Sequence, residues 1–282
     1  MSVKKPRIWT VFGFFGLGIS VQVTIGVMLG LIAVVWPGFE DGLPGADEIT
    51  AFTTNPVFFL VSLVSVQLAL LALLGAVLCL SSVPWRERIH MQWGHASLAW
   101  LPLWCLAALG AGTIGDLLVD INQSSYAQQL KDGINSSSLA YGIMVMTLGA
   151  LLPGFIEEMI FRGYIQSRLL QRWPAWLAIG ASSVMFAVYH FDPLYIVAIL
   201  PIGVWLGFLA YRLGGTLPGI LCHIVNNFIA FGILILSGRF ALELSDGVSM
   251  AINGTLLACL VAAVLVLLFV LPRPQTAQVD LS

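Results

Sequence analysis

The sequence predicts an all-α, polytopic membrane protein with about eight transmembrane helices. Of its 282 residues, 59% are hydrophobic and only 9% are charged, and the mean hydropathy is +0.96, far outside the range of soluble globular domains. Apolar stretches recur at about the 20-residue length that a helix needs to cross about 30 Å of hydrocarbon. These stretches are continuously apolar and lack the period-two alternation of barrel strands, so helices are favoured.

The predicted spans follow one another along a single membrane domain, residues 1–282. In chain order they are 8–36, 56–83, 96–118, 139–161, 176–190, 194–211, 217–236 and 250–271. Taken together, segments 37–55 and 120–138 are rich in Gly, Pro, Asp and Ser, and they are predicted to carry turns and polar surface. We interpret 8–118 as N-terminal scaffold, about 139–235 as the functional core, 250–271 as the last helix and 272–282 as a short tail.

The distribution of basic residues predicts the orientation in the membrane. With eight spans, ten of the twelve Lys and Arg residues fall on one face, and only Lys131 and Arg239 fall on the other. Because cytoplasmic loops carry the excess of Lys and Arg, both termini are predicted to be cytoplasmic. The polar stretch 166–172 is expected to protrude, at least in part, on that side.

Other classes of function find little support in the composition. The four cysteines all lie inside apolar runs without CxxC spacing, so disulfides and cysteine metal sites are not expected. No basic patch suggests a nucleic-acid partner, and the formal charge of −2 averages a basic face with an acidic one.

Two adjacent glutamates, Glu157 and Glu158, are the most informative feature of the chain. An ionised carboxylate deep in hydrocarbon costs roughly 2.5–3.5 kcal/mol on insertion scales, so such residues persist mainly where they pair, protonate or do chemistry. Residues four apart share a helix face, so Glu158 is expected to pair with Arg162 while Glu157 points about 100° away and stays free. An interfacial ion pair is the structural alternative.

Two further polar clusters occur at membrane depth. Phe186 and His190 are four residues apart near the end of the fifth span, and His223 and Asn227 are four apart in the seventh. The start of the seventh helix is indicated by the glycines at 214–215 and by Pro218. Taken alone, His190 is interpreted as a hydrogen-bonded histidine beside a loop. The pair of His223 and Asn227 is interpreted as forming hydrogen bonds between helices.

Together the clusters suit hydrolysis of an amide. A partly dry carboxylate beside a histidine can take a proton from water and direct the oxygen to a carbonyl carbon. His and Asn side chains on one helix face can donate hydrogen bonds to the oxyanion that develops in acyl transfer.

This constellation resembles the CPBP family of intramembrane proteases, which includes the type II CAAX prenyl endopeptidases. The family pattern is EExxxR, FxxxH and HxxxN or HxxxD. Its positions are filled here, in order, by Glu157, Glu158, Arg162, Phe186, His190, His223 and Asn227. The resemblance covers roughly 139–235, about a third of the chain.

The resemblance implies eight helices and a site that opens to the cytoplasm. It implies catalysis by Glu157, which activates water with the help of His190, and an oxyanion stabilised by His223 and Asn227. Supporting roles would fall to Glu158, Arg162 and Phe186. No cofactor or metal is implied, and the partner would be a membrane-associated peptide or protein in the lipid bilayer, with a bacterial inner (plasma) membrane as the location.

Three alternatives stay open at this point. A non-catalytic immunity or scaffold protein could retain the same polar network, and a proton-coupled transporter could use intramembrane Glu and His as a relay. Two histidines and a glutamate could also bind zinc, although the HExxH motif is absent. Substrate identity, prenylation of the substrate and oligomeric state are not predicted.

Overall fold

The computed structural model describes residues 7–35, 55–95, 97–242 and 244–272. Within these ranges every regular element is a helix, which confirms the all-α prediction. Seven helical segments are long and apolar enough to cross a membrane, and an eighth, Ala175–Val188, is apolar but shorter. The predicted polytopic membrane protein is confirmed, with the fifth span as its short member.

The main helices, numbered here in chain order, place the three sequence motifs on separate elements. They are α1 Trp9–Val35, α2 Pro56–Cys79, α3 Trp85–Arg88, α4 Leu101–Leu118, α5 Ser125–Ser136, α6 Leu139–Glu158, α7 Ser167–Leu170, α8 Ala175–Val188, α9 Pro193–Leu213, α10 Leu217–Phe240 and α11 Asp246–Leu265. Short 3₁₀ turns cover Leu98–Trp100 and Ile121–Gln123, and π-helical segments cover Met159–Gln166 and Val266–Val270.

Several predicted boundaries need correction. The second span ends at Cys79 rather than at 83, and the fourth continues through the π segment to Leu170 rather than ending at 161. Segment 120–138, predicted as turns, contains α5. Residues 36 and 96, at predicted span ends, and most of the predicted tail 272–282 lie outside the described residues.

Local sequence explains where the site-bearing helices begin. Ser138 caps α6 by accepting a hydrogen bond from the Tyr141 N–H, and Asp192 caps α9 in the same way at the Tyr195 N–H. The α10 helix begins at Leu217, as the Gly214 and Pro218 signals predicted, because Gly214 ends α9 in the left-handed conformation. These caps satisfy backbone groups that the lipid could not.

The π-helical segment Met159–Gln166 begins directly after the two glutamates, and all of its residues are buried. Its polar side chains reach carbonyls on α9: Arg162 donates to Gly203 O and Gln166 donates to Gly207 O, both at 2.8 Å. A Cβ at position 207 would lie 2.7 Å from Gln166 Oε1, so the glycine there allows the close approach of Gln166. Gln166 is therefore buried, whereas Gln171 and Arg172, at the end of the stretch expected to protrude in part, are exposed.

Packing brings the three motif helices together. The α6 helix packs along α10, α8 packs along α9, and the π segment contacts both α8 and α9. The Ser182 hydroxyl of α8 donates to Phe161 O of the π segment at 2.7 Å. On the far side, α4 packs against α9 and α11, and α2 packs against α1 and α6.

Candidate active site

A buried ion pair lies where α6 meets α10. Glu158 is 0% exposed, and its Oε1 accepts hydrogen bonds from Arg162 Nη1 at 2.7 Å and from His223 Nδ1 at 3.1 Å. The predicted i, i+4 pairing of Glu158 with Arg162 is therefore present. Because the carboxylate meets both a guanidinium and an imidazole, its charge is compensated inside the protein.

Phe186 connects the arginine with both histidines. The Arg162 guanidinium carbon lies 4.5 Å from the centre of the Phe186 ring, in a cation–π contact. The same ring meets His190 and His223 edge-to-face, with centroid distances of 5.3 and 5.7 Å. One aromatic side chain thus sets the position of two imidazoles that come from different helices.

His190 lies just beyond the end of α8 and is half-buried. Its Nδ1 is 3.1 Å from the carbonyl oxygen of Phe186. A carbonyl only accepts, so Nδ1 carries the proton and Nε2 of the neutral ring is free to act as a base. His190 also lies within electrostatic range of Glu157 and His223.

Glu157 is 3% exposed and is not free, which corrects the expectation from helix spacing. Its Oε1 accepts a hydrogen bond from the Gln67 amide of α2 at 2.9 Å. Its Oε2 is buried and has no hydrogen-bond partner among the described residues. One carboxylate oxygen is therefore held in place and the other is available to a ligand.

Tyrosines complete the surroundings of Glu157. Tyr126 of α5, Tyr189 and Tyr195 all interact electrostatically with this carboxylate. The Tyr126 and Tyr195 rings lie 4.7 Å apart, and Tyr195 also lies 5.3 Å from the ring of His190. These aromatic residues border the site on the side of the α8–α9 turn.

Asp192 fixes that border. Its Oδ2 accepts hydrogen bonds from the Ser125 hydroxyl at 2.7 Å and from the Tyr126 N–H at 3.2 Å, while Oδ1 caps α9. Burial alone would raise the pKa of this carboxyl, but these hydrogen bonds lower it to about 2. An ionised Asp192 thereby joins the start of α5 to the start of α9.

Asn227 lies one turn beyond His223 and is half-buried. Its Nδ2 donates to the carbonyl of Gly149 on α6 at 3.3 Å, and its Oδ1 accepts from Asn226 at 3.4 Å. Gly149 precedes Glu157 by eight residues, or about 12 Å along the helix. Asn227 therefore faces α6, as His223 does, but meets it more than two helical turns before Glu158, and its second amide hydrogen is left for a ligand.

The described part of the chain contains no preformed metal site. No group of three His, Cys, Asp or Glu side chains is arranged there to hold an ion. Glu158 and His223 are engaged with each other, and His190 uses Nδ1 on a backbone carbonyl. The zinc alternative stays a question for metal analysis of the purified protein.

Four residues of the site were missed from the sequence: Gln67, Tyr126, Tyr189 and Tyr195. Gln67 lies in a span interpreted as scaffold, where its only signal was a glutamine inside an otherwise apolar run. Tyr126 belongs to the unpredicted α5. The placement of both side chains depends on contacts between segments distant in sequence, which spacing rules do not report.

Comparison with known proteins agrees with the motifs. Residues 139–229 match the family model described as "Rce1-like: Type II CAAX prenyl endopeptidase Rce1-like", which covers about a third of the chain. The match contains all three motifs and confirms the predicted resemblance. Neither a curated protein nor a solved structure matches the chain significantly.

Proposed function

We propose that this chain, whose residues 139–229 match the type II CAAX prenyl endopeptidases, hydrolyses a peptide bond of a membrane-associated protein or peptide by glutamate-activated water. The family match indicates a CAAX-type endopeptidase in the membrane. The observation that carries the mechanism is Glu157, which is buried and held through one oxygen while its other oxygen is unpartnered.

The chemistry begins with a water molecule at Glu157. Oε2 takes one proton from the water as its oxygen bonds to the carbonyl carbon, and the carbonyl electron pair moves onto oxygen. Nε2 of His190 can hold the same water through a hydrogen bond. The proton then passes from Glu157 to the leaving nitrogen as the carbon–nitrogen bond breaks.

The oxyanion requires donors, and α10 can supply them. His223 would donate from Nδ1 to the Glu158 carboxylate and, as an imidazolium, from Nε2 to the oxyanion. The remaining Nδ2 hydrogen of Asn227 is a second donor. Removal of one such donor typically costs about 10²–10³ in kcat.

The first test compares wild-type protein in detergent with Glu157→Gln. The probe is a fluorogenic peptide that ends in a farnesylated cysteine and three further residues, with an unprenylated twin to report whether the lipid matters. We expect the wild type to cleave and Glu157→Gln to lose at least about 10³ of kcat/KM, since the general base is removed. Activity should persist in chelator if no metal takes part.

The second test does not assume a particular substrate. Membrane proteomes and released peptides are compared between cells that carry wild-type protein and cells that carry Glu157→Gln, with protein levels matched. New peptide ends that occur only with the wild type support the proposal. Identical peptide profiles, together with full complementation of a deletion by Glu157→Gln and His223→Ala, favour a non-catalytic scaffold.

A further inference from the structure

We infer that Gln67 of α2 is a positioning residue for Glu157, a role that rests on the proposed function of that glutamate. The inference starts from a contact between elements 90 residues apart. Gln67 is 4% exposed, and its amide nitrogen donates to Glu157 Oε1 at 2.9 Å. Gln67 lies outside the segment that matches the endopeptidase family, so α2 adds to the site something the motifs do not contain.

The chemical value of an amide at this place comes from its neutrality. Glu158, beside it in sequence, is engaged by the guanidinium of Arg162 at 2.7 Å. Glu157 instead accepts a hydrogen bond from the neutral amide of Gln67. The two adjacent acids are therefore distinguished by their partners: Glu158 is held in an ion pair, whereas Glu157 keeps an oxygen that can accept a proton as a general base does.

The same contact determines which carboxylate oxygen of Glu157 can react. Oε1 is occupied by the Gln67 amide, so Oε2 is the oxygen left to accept a proton. Gln67 Oε1 is also buried without a partner among the described residues. Two acceptors on neighbouring side chains suit a molecule with two protons to donate, and water is such a molecule.

Other groups also act on the charge of Glu157. Glu158 follows it in the chain on α6, and those that face it from neighbouring elements are Arg162, Tyr126, Tyr189, His190 and Tyr195. All of them are present in both wild type and a Gln67 variant. A difference between the two proteins therefore isolates the amide.

The test is the pH profile of kcat/KM for Gln67→Met, measured on the farnesylated fluorogenic peptide. Methionine keeps the length and bulk of the side chain but cannot donate. A hydrogen bond to a charged group corresponds to about one to two pH units, so we expect the acidic limb to move upward by that amount. A role confined to Glu157 and its water predicts an unchanged KM for the peptide.

A matched control is Gln22→Met in α1. Gln22 is another glutamine in an apolar span, partly rather than fully buried, and its Oε1 has no partner among the described residues. The hydrogen bond to Glu157 comes from Gln67 and not from Gln22, so the pH profile of the control should overlay that of the wild type. If the replacement of any intramembrane amide lowers activity, kcat/KM should fall in both variants while the acidic limb of neither pH profile moves.

A second measurement does not require turnover. Difference infrared spectra recorded during a pH titration report the carboxylic acid C=O band, and subtraction of the Glu157→Gln spectrum assigns it. In Gln67→Met this band should develop about one to two pH units above its wild-type midpoint. Gln67→Glu, which adds a second acid at the same place, should move it upward as well.

The outcomes separate two failures. If the wild type cleaves the peptide but Gln67→Met retains both the acidic limb and the infrared midpoint of the wild type, the positioning role is wrong and the endopeptidase proposal stands. If Glu157→Gln cleaves as fast as the wild type, the proposed function itself fails and the inference fails with it.

Discussion

Glu157 and Glu158 are neighbours in sequence with different chemical surroundings. Helix geometry predicted the partner of Glu158, because Arg162 is on the same face one turn later. It did not predict the partner of Glu157, since Gln67 comes from a helix 90 residues earlier. At the scale of single residues, local spacing is readable from the sequence, whereas contacts between helices require the fold.

The buried pair of Glu158 and Arg162 leads to a prediction about stability. Arg162→Met would leave Glu158 without its guanidinium and would release the Gly203 carbonyl. Breaking a buried pair in this way costs about 3–5 kcal/mol. We expect a correspondingly lower free energy of unfolding in detergent, measured by denaturant titration.

Arg86→Met is the control for that measurement. Arg86 is exposed and its guanidinium lies 5.2 Å from the centre of the neighbouring Trp85 ring, so its replacement should cost no more than about 1 kcal/mol. The double variant Glu158→Gln/Arg162→Met should recover part of the loss, because it removes the uncompensated charge. Equal stability of Arg162→Met and Arg86→Met would show that the buried pair is not formed.

Hydropathy located the spans at the scale of elements but not all of their ends. The polar stretch 166–172 was expected to protrude in part: its last two residues are exposed, whereas Gln166 bonds to Gly207 and Arg168 lies over the Tyr164 ring at 3.8 Å. The polar, amphipathic α5 helix fell in a segment whose Gly, Ser and Asp content predicted turns. No residue pattern predicted the π segment, because a π-helix differs from an α-helix by a shift of one position in its hydrogen bonds and not by its composition.

The close contact between α6 and α10 requires a glycine at position 154 but not at position 142. A Cβ at Gly154 would lie 2.6 Å from a side-chain carbon of Ile224 and 3.0 Å from its backbone nitrogen. Ile224 follows His223, so Gly154→Ala would push that histidine away from Glu158. We expect kcat/KM on the farnesylated peptide to fall by at least about 10²-fold, as for a displacement of about 1 Å.

Gly142 offers a matched substitution on the same helix and against the same partner. A Cβ there would meet Ile235 at 3.5 Å, an ordinary contact. Gly142→Ala should therefore keep wild-type activity and gain up to about 1 kcal/mol from helix propensity. The close-packing account is wrong if both variants lose activity equally or if neither does.

The whole molecule has two ends, and the contacts show which segments meet at each. At one end, the loop after α3 bonds to the α9–α10 turn through Gln92 and Gly214, and α1 meets Trp173 through Phe12. At the other, Asp192 bonds to α5, and Tyr141 bonds to the Pro56 carbonyl at the start of α2. The sequence predicted this alternation from the count of spans, but only the fold shows that short α8 carries the chain from one end to the other.

The crossing by α8 determines the topology of everything after it. Its 14 residues span only about 21 Å, less than the hydrocarbon thickness, so length alone would allow a re-entrant helix. If α8 crosses, α5 and the end of α10 lie on the same side of the membrane; if it turns back, they lie on opposite sides. Because Arg239 donates to the Ile134 carbonyl, α10 ends beside α5, and we expect the crossing.

Single cysteines test this topology in full-length protein whose four native cysteines are replaced. We expect an impermeant maleimide to label Lys131→Cys on α5 and Leu242→Cys after α10 in intact cells, and Arg86→Cys only after permeabilisation, since the basic face is predicted to be cytoplasmic. Labelling of Leu242→Cys from the side opposite to Lys131→Cys would mean that α8 does not cross. The reverse pattern at all three positions would invert the orientation and place the basic face outside. In either case, access of water and substrate to Glu157 would have to be assigned anew, because the orientation decides which compartment the site faces.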